Sequence, residues 1–262
     1  MARAGFVTGA AAFALLLSAG AWLLRGLAPE PSAAQTPPAA GGTALYGLVV
    51  RGETVVAKPE GGTLVLASRG ERVSAGGVIA AAAATPEGLR CAVRAAGEAA
   101  ERECVRRAVY AAAAGRPELA EPLAALYTQG EDEPYELITS PFSALWSPYA
   151  DGLEYLSAES LADLTPERLE ALLELEPRQT EVLGRLVYDG SWYFAALMPR
   201  AEAPEEGSRV ELRFEGFRAR ARTAYVSAAS GGDCAVVFES REKLREALEL
   251  RFAGAELCFE AG

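Results

Sequence analysis

Thr54-Val-Val-Ala-Lys-Pro-Glu-Gly-Gly-Thr-Leu64 and, after five intervening residues, Gly70-Glu-Arg-Val-Ser-Ala-Gly-Gly-Val-Ile-Ala80 read as short strands cut by turns. Around them the β-prone runs are Leu45 to Val50, Thr54 to Ala57, Thr63 to Ala67 and Val78 to Ala80. Gly52, Gly61-Gly62, Gly70 and Gly76-Gly77 mark the turns between them. Strands this short suit a small barrel or sandwich. The pattern returns far downstream, where Ile138-Thr139-Ser140-Pro141 echoes Val56-Ala57-Lys58-Pro59. The interval from Pro59 to Gly70 equals that from Pro141 to Gly152, which suggests two halves of one unit.

The interval between the halves reads as helix. Thr85-Pro86 supplies a cap residue with proline at the first helical position, and alanine-rich sequence continues to about Ala114. Glu98 with Arg102 and Glu103 with Arg107 stand at i,i+4 spacing. Gly115-Arg116-Pro117 stops the helix, and Glu118 to Tyr127 is suited to a shorter return helix, making a helical hairpin. Its seam would be Leu89, Val93, Ala96, Ala100 and Cys104, and the first arm would measure about 45 Å as one helix.

The two runs quoted above resemble the first half of a biotinyl/lipoyl-like barrel of HlyD-type membrane fusion proteins, the periplasmic adaptors. Tyr135-Glu-Leu-Ile-Thr-Ser-Pro-Phe-Ser-Ala-Leu-Trp146 resembles the second half. Ser147-Pro-Tyr-Ala-Asp-Gly-Leu-Glu154 and Gly184-Arg-Leu-Val-Tyr-Asp-Gly-Ser-Trp-Tyr-Phe-Ala-Ala-Leu-Met-Pro199 are similar to short HlyD-like proteins of single-membrane bacteria. The chain departs from the pattern at Ala144, where the family often has glycine, and at Lys58, where a small residue is common. Carrier domains of this type present a modifiable lysine where their halves join. Here that junction, residues 81 to 133, contains no lysine, and the only lysines are Lys58 and Lys243. No attached cofactor is expected. The resemblance implies a non-catalytic adaptor or scaffold of an export or envelope complex. It also implies an inner-membrane transporter or envelope protein as partner, and a homo-oligomer.

Downstream, the spacing of Leu161, Leu164, Leu169, Leu172 and Leu173 predicts short helices that cover a barrel, restarted at Thr165-Pro166 and ended by Pro177. Strands are predicted at Val182 to Tyr188, Trp192 to Met198, Arg209 to Phe214, Arg218 to Ser227, Cys234 to Phe238 and within Leu248 to Phe259. Turns are expected at Asp189-Gly190, Glu206-Gly207 and Gly231-Gly232. Trp192, Tyr193 and Phe194 are open to an aromatic binding face, but a strand alternates them to opposite sides, which favours core filling. Alternation also puts Arg218, Arg220 and Arg222 on one face, suited to solvent or to anionic lipid or polymer.

Upstream, the nineteen residues Phe6 to Leu24 carry no charge and as a helix would extend about 29 Å, enough to span a bilayer. Arg3 before it, Arg25 after it and no further basic residue until Arg51 favour a cytoplasmic N-terminus, with the remaining domains outside. Ser32-Ala33-Ala34 leaves a cleaved signal peptide open as the alternative. The proline-rich residues 28 to 42 read as a linker.

The expected fold class is therefore mainly β with α insertions. A cytoplasmic stub and membrane anchor occupies 1–27 and a linker 28–43. Residues 44–80 with 134–156 make a split lipoyl-like barrel-sandwich hybrid, interrupted by the hairpin at 81–133. Short helices follow at 157–181 and a β-barrel-like domain at 182–262.

Composition limits the chemistry. With 25 basic and 36 acidic residues the chain carries a net −11, which argues against a nucleic-acid module. Histidine is absent, which excludes Ser-His-Asp and Cys-His nucleophile systems and HExxH zinc sites. Cys91, Cys104, Cys234 and Cys258 have no metal-ligand spacing. Cys234 and Cys258 are open either to pairing or to burial as free thiols. Glu131-Asp132-Glu133 and Asp151 with Glu154 are the candidate carboxylate groups for acid/base or cation chemistry, without a supporting pattern. Catalytic, cofactor and metal residues are thus expected to be none. Two competitors stand beside the adaptor: a structural cell-envelope or division-associated protein with no transport role, and a hydrolase working through Asp151 or Glu154.

Overall fold

The computed structural model describes residues 42–116 and 133–259. The apolar stretch 6–24, the linker up to residue 41 and the expected return helix at 118–127 lie outside the described residues. Among the described residues no helix is long and apolar enough to cross a membrane. The chain is mainly β and divides into two compact units. One holds Glu60–Leu66 with the described part of Ala80–Ile138; the other holds 42–59, Ala67–Ile79 and 139–259.

The larger unit is built on a 14-residue strand, β1 (Thr43–Val56), which pairs antiparallel with two others, β7 (Gly184–Pro199) and β11 (Phe252–Phe259). Between them stand β8 (Arg209–Phe214), β9 (Phe217–Val226) and β10 (Asp233–Ser240), in the order β1-β11-β8-β9-β10-β7. The β1–β7 pairing closes this order into a six-stranded barrel, which leaves no sheet edge there.

Alternation along the strands fills the barrel. Leu45, Val49, Trp192, Phe194, Phe214 and Phe238 point inward and are buried. The Phe194 and Phe214 rings meet edge-on at 5.3 Å, an arrangement favoured by the ring quadrupoles. Trp192 Nε1 donates to the Glu242 carbonyl at 2.7 Å, so its polar end is satisfied in the core. Gly47 is required by close approach: a Cβ there would lie 2.4 Å from the Ala195 carbonyl and 2.7 Å from the Phe194 ring. The opposite face of β1 is also covered. Leu48 and Val50, with Ala195 and Val237, pack under Leu153, Leu156, Leu161, Leu164 and Leu169. Leu161 ends a 3-10 turn (Ala158–Leu161) and Leu169 lies in a helix (Pro166–Leu173) whose N-cap is Thr165, while Leu153 and Leu156 precede the turn and Leu164 joins it to the helix.

Two expected turns are absent. Gly52 lies inside β1 and Asp189-Gly190 inside β7, where the pairing jumps from Arg51↔Trp192 to Glu53↔Val187. The turn residues serve a bulge in continuous strands, because each strand has partners on both sides of it. Beyond the bulge, β7 also pairs with β6 (Ala144–Ser147), and β6 with β3 (Arg72–Val73). In the barrel, β1 stands as the sixth strand beside the five that 182–262 provides.

The two sequence-distant segments meet by hydrogen bonding. Gly70 N–H donates to the Trp146 carbonyl at 2.8 Å, and Trp146 N–H to the Glu71 carbonyl at 2.9 Å. Gly76 N–H donates to the Ser140 carbonyl at 2.7 Å and Ser140 N–H to the Gly77 carbonyl at 2.9 Å.

The smaller unit holds a three-stranded sheet in the order β2 (Gly62–Val65), β4 (Val78–Ala83), β5 (Glu136–Thr139). After β4 come α1 (Pro86–Ala96) and α2 (Glu98–Ala113). Thr85 caps α1, its hydroxyl accepting from Gly88 N–H at 3.1 Å. The expected single helix to Ala114 is broken at Gly97, which adopts φ 97° and ψ 175°. That region is open to glycine almost alone, so this residue is the bend. Both expected i,i+4 pairs form on α2, Glu98–Arg102 at 3.2 Å and Glu103–Arg107 at 2.8 Å. Arg107 also donates to the Val65 carbonyl, tying α2 to β2. Gly115, at φ 70°, ends the helix, with Arg116 N–H reaching the Ala111 carbonyl at 2.9 Å.

Candidate functional site

The larger unit contains a buried cluster of three arginines and four carboxylates where β1 and β7 leave the barrel. β1 contributes Arg51 and Glu53, which alternation places on one side of the strand. β7 contributes Arg185. The turn after β6 contributes Asp151 and Glu154, and the segment entering β11 contributes Glu249 and Arg251. Side-chain exposure runs from 0% for Arg51 and Glu53 to 22% for Glu249.

Glu53 is the hub. Its Oε1 accepts from Arg51 Nε at 2.5 Å, and its Oε2 accepts from Arg251 Nη2 at 2.7 Å and lies 3.4 Å from Arg185 Nη1. Asp151 is the second hub. Arg251 reaches it through Nε at 3.0 Å and Nη2 at 3.1 Å, and Arg185 Nη1 through its Oδ2 at 3.1 Å. The turn is self-braced, with Asp151 N–H donating to Glu154 Oε1 at 2.6 Å and Leu153 N–H to Asp151 Oδ1 at 3.1 Å. Arg185 Nη1 also lies 3.5 Å from Glu154 and Arg185 Nη2 3.5 Å from Glu249. The arginines bond main chain as well: Arg51 to the Ala247 carbonyl, Arg185 to Leu248 at 3.0 Å and Arg251 to Val49 at 3.2 Å.

The electrostatics follow from this geometry. Burial alone would raise the Asp151 carboxyl, but the hydrogen bond and charge of Arg251, the charge of Arg185 and the Leu153 N–H outweigh it and hold it at about 2. Burial lowers Arg51 to about 10, with Glu53 opposing the change and Arg251 and Arg185 adding to it. For Arg251, burial acts downward, but Glu53 and Asp151 prevail and raise it. Asp151 therefore has no proton to give near neutrality, and Glu154 lies against Arg185. The arrangement suits a rigid ionic knot better than general acid/base chemistry. Among the described residues no group of three or more acidic, cysteine or histidine side chains is placed to hold a metal ion.

The other sequence candidates lie apart from this cluster. Of the acidic run, Glu133 is described and accepts from the Thr85 hydroxyl, while 131 and 132 lie outside the described residues. The four cysteines are free thiols; Cys91, Cys104 and Cys234 are buried and Cys258 partly so. Cys234 on β10 and Cys258 on β11 stand on strands separated by β8 and β9. Lys58 is exposed just beyond β1, and Lys243 pairs with Glu246 at 3.1 Å. Trp192 and Phe194 fill the core while Tyr193 packs on the opposite, covered face. Arg218, Arg220 and Arg222 are exposed on one face of β9, as alternation predicts.

Of this cluster, Asp151 and Glu154 are legible as candidates in the sequence; Arg51, Glu53, Arg185, Glu249 and Arg251 are not. A signal was present: Arg51 follows Leu48-Val49-Val50 and Glu53 stands at i+2, so a strand through this run puts both charges on one face.

No protein-family model matches the chain, and no curated protein matches it in sequence. Among solved structures it is similar to ZneB from Cupriavidus metallidurans, over 82% of this chain and 98% of that one, at 15% identity and a TM-score of 0.37. It is also similar to the membrane fusion protein Spr0693 from Streptococcus pneumoniae R6, over 84% of this chain and all of that one (100%), at 11% identity and a TM-score of 0.35.

Proposed function

We propose that this chain is a membrane-anchored extracytoplasmic adaptor of the HlyD-like kind, a component of an export or envelope complex that works by contact and carries no catalytic, cofactor or metal residue. The observation that carries this reading is the pairing of Gly70–Gly77 with Ser140–Trp146 across a helical insertion. It reproduces in space the order of motifs on which the family resemblance rests. In this reading 44–80 and 134–156 contribute the split barrel, 81–133 the insertion, 157–181 its cover and 182–262 the second β domain. Residues 6–24 anchor the chain from a cytoplasmic N-terminus.

Two features shape the role. The ionic knot ties β1, β7 and the turn after β6 to one another, as a scaffold that holds partners in position requires. The described helices of the insertion are short: α2, at sixteen residues, extends about 24 Å, which suits a local partner better than a channel across a periplasm. Crosslinking of the full chain in its native membrane, read by mass spectrometry, is expected to return a transporter subunit. Recovery of wall-synthesis or division proteins alone would overturn the export role in favour of the envelope scaffold.

A further inference from the structure

We propose that the outer face of β8 and β9 binds anionic lipid headgroups. This rests on the anchored reading above and adds to it a second membrane contact.

On β8, Arg209, Glu211 and Arg213 alternate with buried Val210, Leu212 and Phe214; on β9, Arg218, Arg220 and Arg222 alternate with buried Ala219, Ala221 and Thr223. The register sets Arg213 directly opposite Arg218 and Arg209 directly opposite Arg222, with Glu211 opposite Arg220 between them. Like charges facing each other across an antiparallel pair destabilise it. Two such pairs on one face, in a chain of net charge −11, are a cost that folding does not explain. Glu211 is bonded to Arg213 at 2.6 Å. Among the described residues Arg209, Arg218 and Arg222 make no ion pair. Guanidinium groups in such a row match the oxygen geometry of phosphate.

The point of chain entry selects a membrane as the source of that phosphate. Gly42, where the described chain begins, donates its N–H to Glu256 Oε1 at 3.0 Å, and Glu256 lies directly opposite Arg213. The linker thus reaches the barrel one strand from the basic face. Fourteen residues, 28–41, can span at most roughly 50 Å between the anchor of that reading and Gly42. A tether of that length holds the face close to the surface from which the anchor emerges. There each arginine adds attraction that fades within a Debye length.

The test uses the full chain reconstituted in vesicles of phosphatidylcholine alone, or with roughly 30 mol % phosphatidylglycerol. Modification of arginines by phenylglyoxal is read residue by residue by mass spectrometry. Arg209, Arg218 and Arg222 are expected to react at least about threefold more slowly in the anionic vesicles, with the difference lost near 0.5 M salt. Arg168, exposed on the covering helix, is expected to be unaffected. The surface variant R218S/R222S should lose the protection of Arg209. Flotation with neutral vesicles but equal arginine reactivity in both lipids overturns this proposal and leaves the anchor standing. Failure of the chain to float with neutral vesicles overturns the anchor and this proposal together. Protection that is independent of phosphatidylglycerol and grows with protein density assigns the face to a second copy of the chain, which also overturns it.

Discussion

The Glu53 side chain has no solvent exposure and divides its two oxygens among three guanidinium groups. A buried ion network of this kind contributes little net stability over an apolar replacement, yet removing one member leaves an uncompensated buried charge. Asp151 makes the network pH-sensitive. Its carboxyl is held near 2 in the folded chain against an ordinary value near 4, so the folded state favours the charged form. That contribution is complete above about pH 4 and disappears as pH falls toward 2, where the folded carboxyl takes up its proton. Urea unfolding between pH 6 and 2 should therefore show an acid limb that flattens in Asp151→Asn, which keeps the shape of the side chain but has no charge to lose. An unchanged acid limb would mean that Asp151 does not carry this coupling. The same residue sat among the sequence candidates as an acid/base group. Its residue type and its turn, Asp151-Gly152, were readable, but the guanidinium groups that settle its protonation come from positions 100 and 34 residues away in the chain.

At the scale of elements, the helical region shows how much a local signal conveys. The Thr85-Pro86 start, the two i,i+4 ion pairs and the glycine stop at Gly115 all form as read, because each depends on residues within one or two turns. Gly97 is not legible as a bend because a lone glycine among alanines costs a helix only about 1 kcal/mol, and the spacing on either side remains helical. Its φ of 97° converts one rod into two shorter helices. A Cβ at this position would meet nothing within 4 Å, so a substitution there tests backbone conformation without a clash. Gly97→Ala is expected to lower stability by about 1–3 kcal/mol in denaturant unfolding, with helicity by circular dichroism unchanged or slightly higher. A neutral or stabilising effect would show that the bend is not required by the packing of α1 and α2.

For the molecule as a whole, the decisive element is β1, which the sequence divides at Gly52 and the structure makes continuous. Its first part completes a barrel with strands more than a hundred residues later, and its second part extends the pairing beyond the bulge. The segment 182–262, which reads as a domain, would have two open edges at β7 and β11 if expressed alone. It is expected to show no cooperative thermal transition. Residues 42–59 joined by a flexible linker to 139–262 should restore one. Cooperative unfolding of 182–262 by itself would show that closure by β1 is dispensable.

What the sequence determined by itself is the local and periodic content: mainly β with a helical insertion, the inward set of Trp192 and Phe194, the covering leucines at Leu161, Leu164 and Leu169, and the shared face of Arg218, Arg220 and Arg222. These follow from alternation, caps and turn chemistry, which act over a few residues. Only the tertiary structure decided that Gly52 and Asp189-Gly190 serve a bulge, and that Arg51, Arg185 and Arg251 converge on Glu53 and Asp151. A turn and a bulge use the same residues, and the difference lies in whether partners continue on both sides. A buried charge is intelligible only with its counter-charge, and here chain closure brings the two together from opposite ends of the fold.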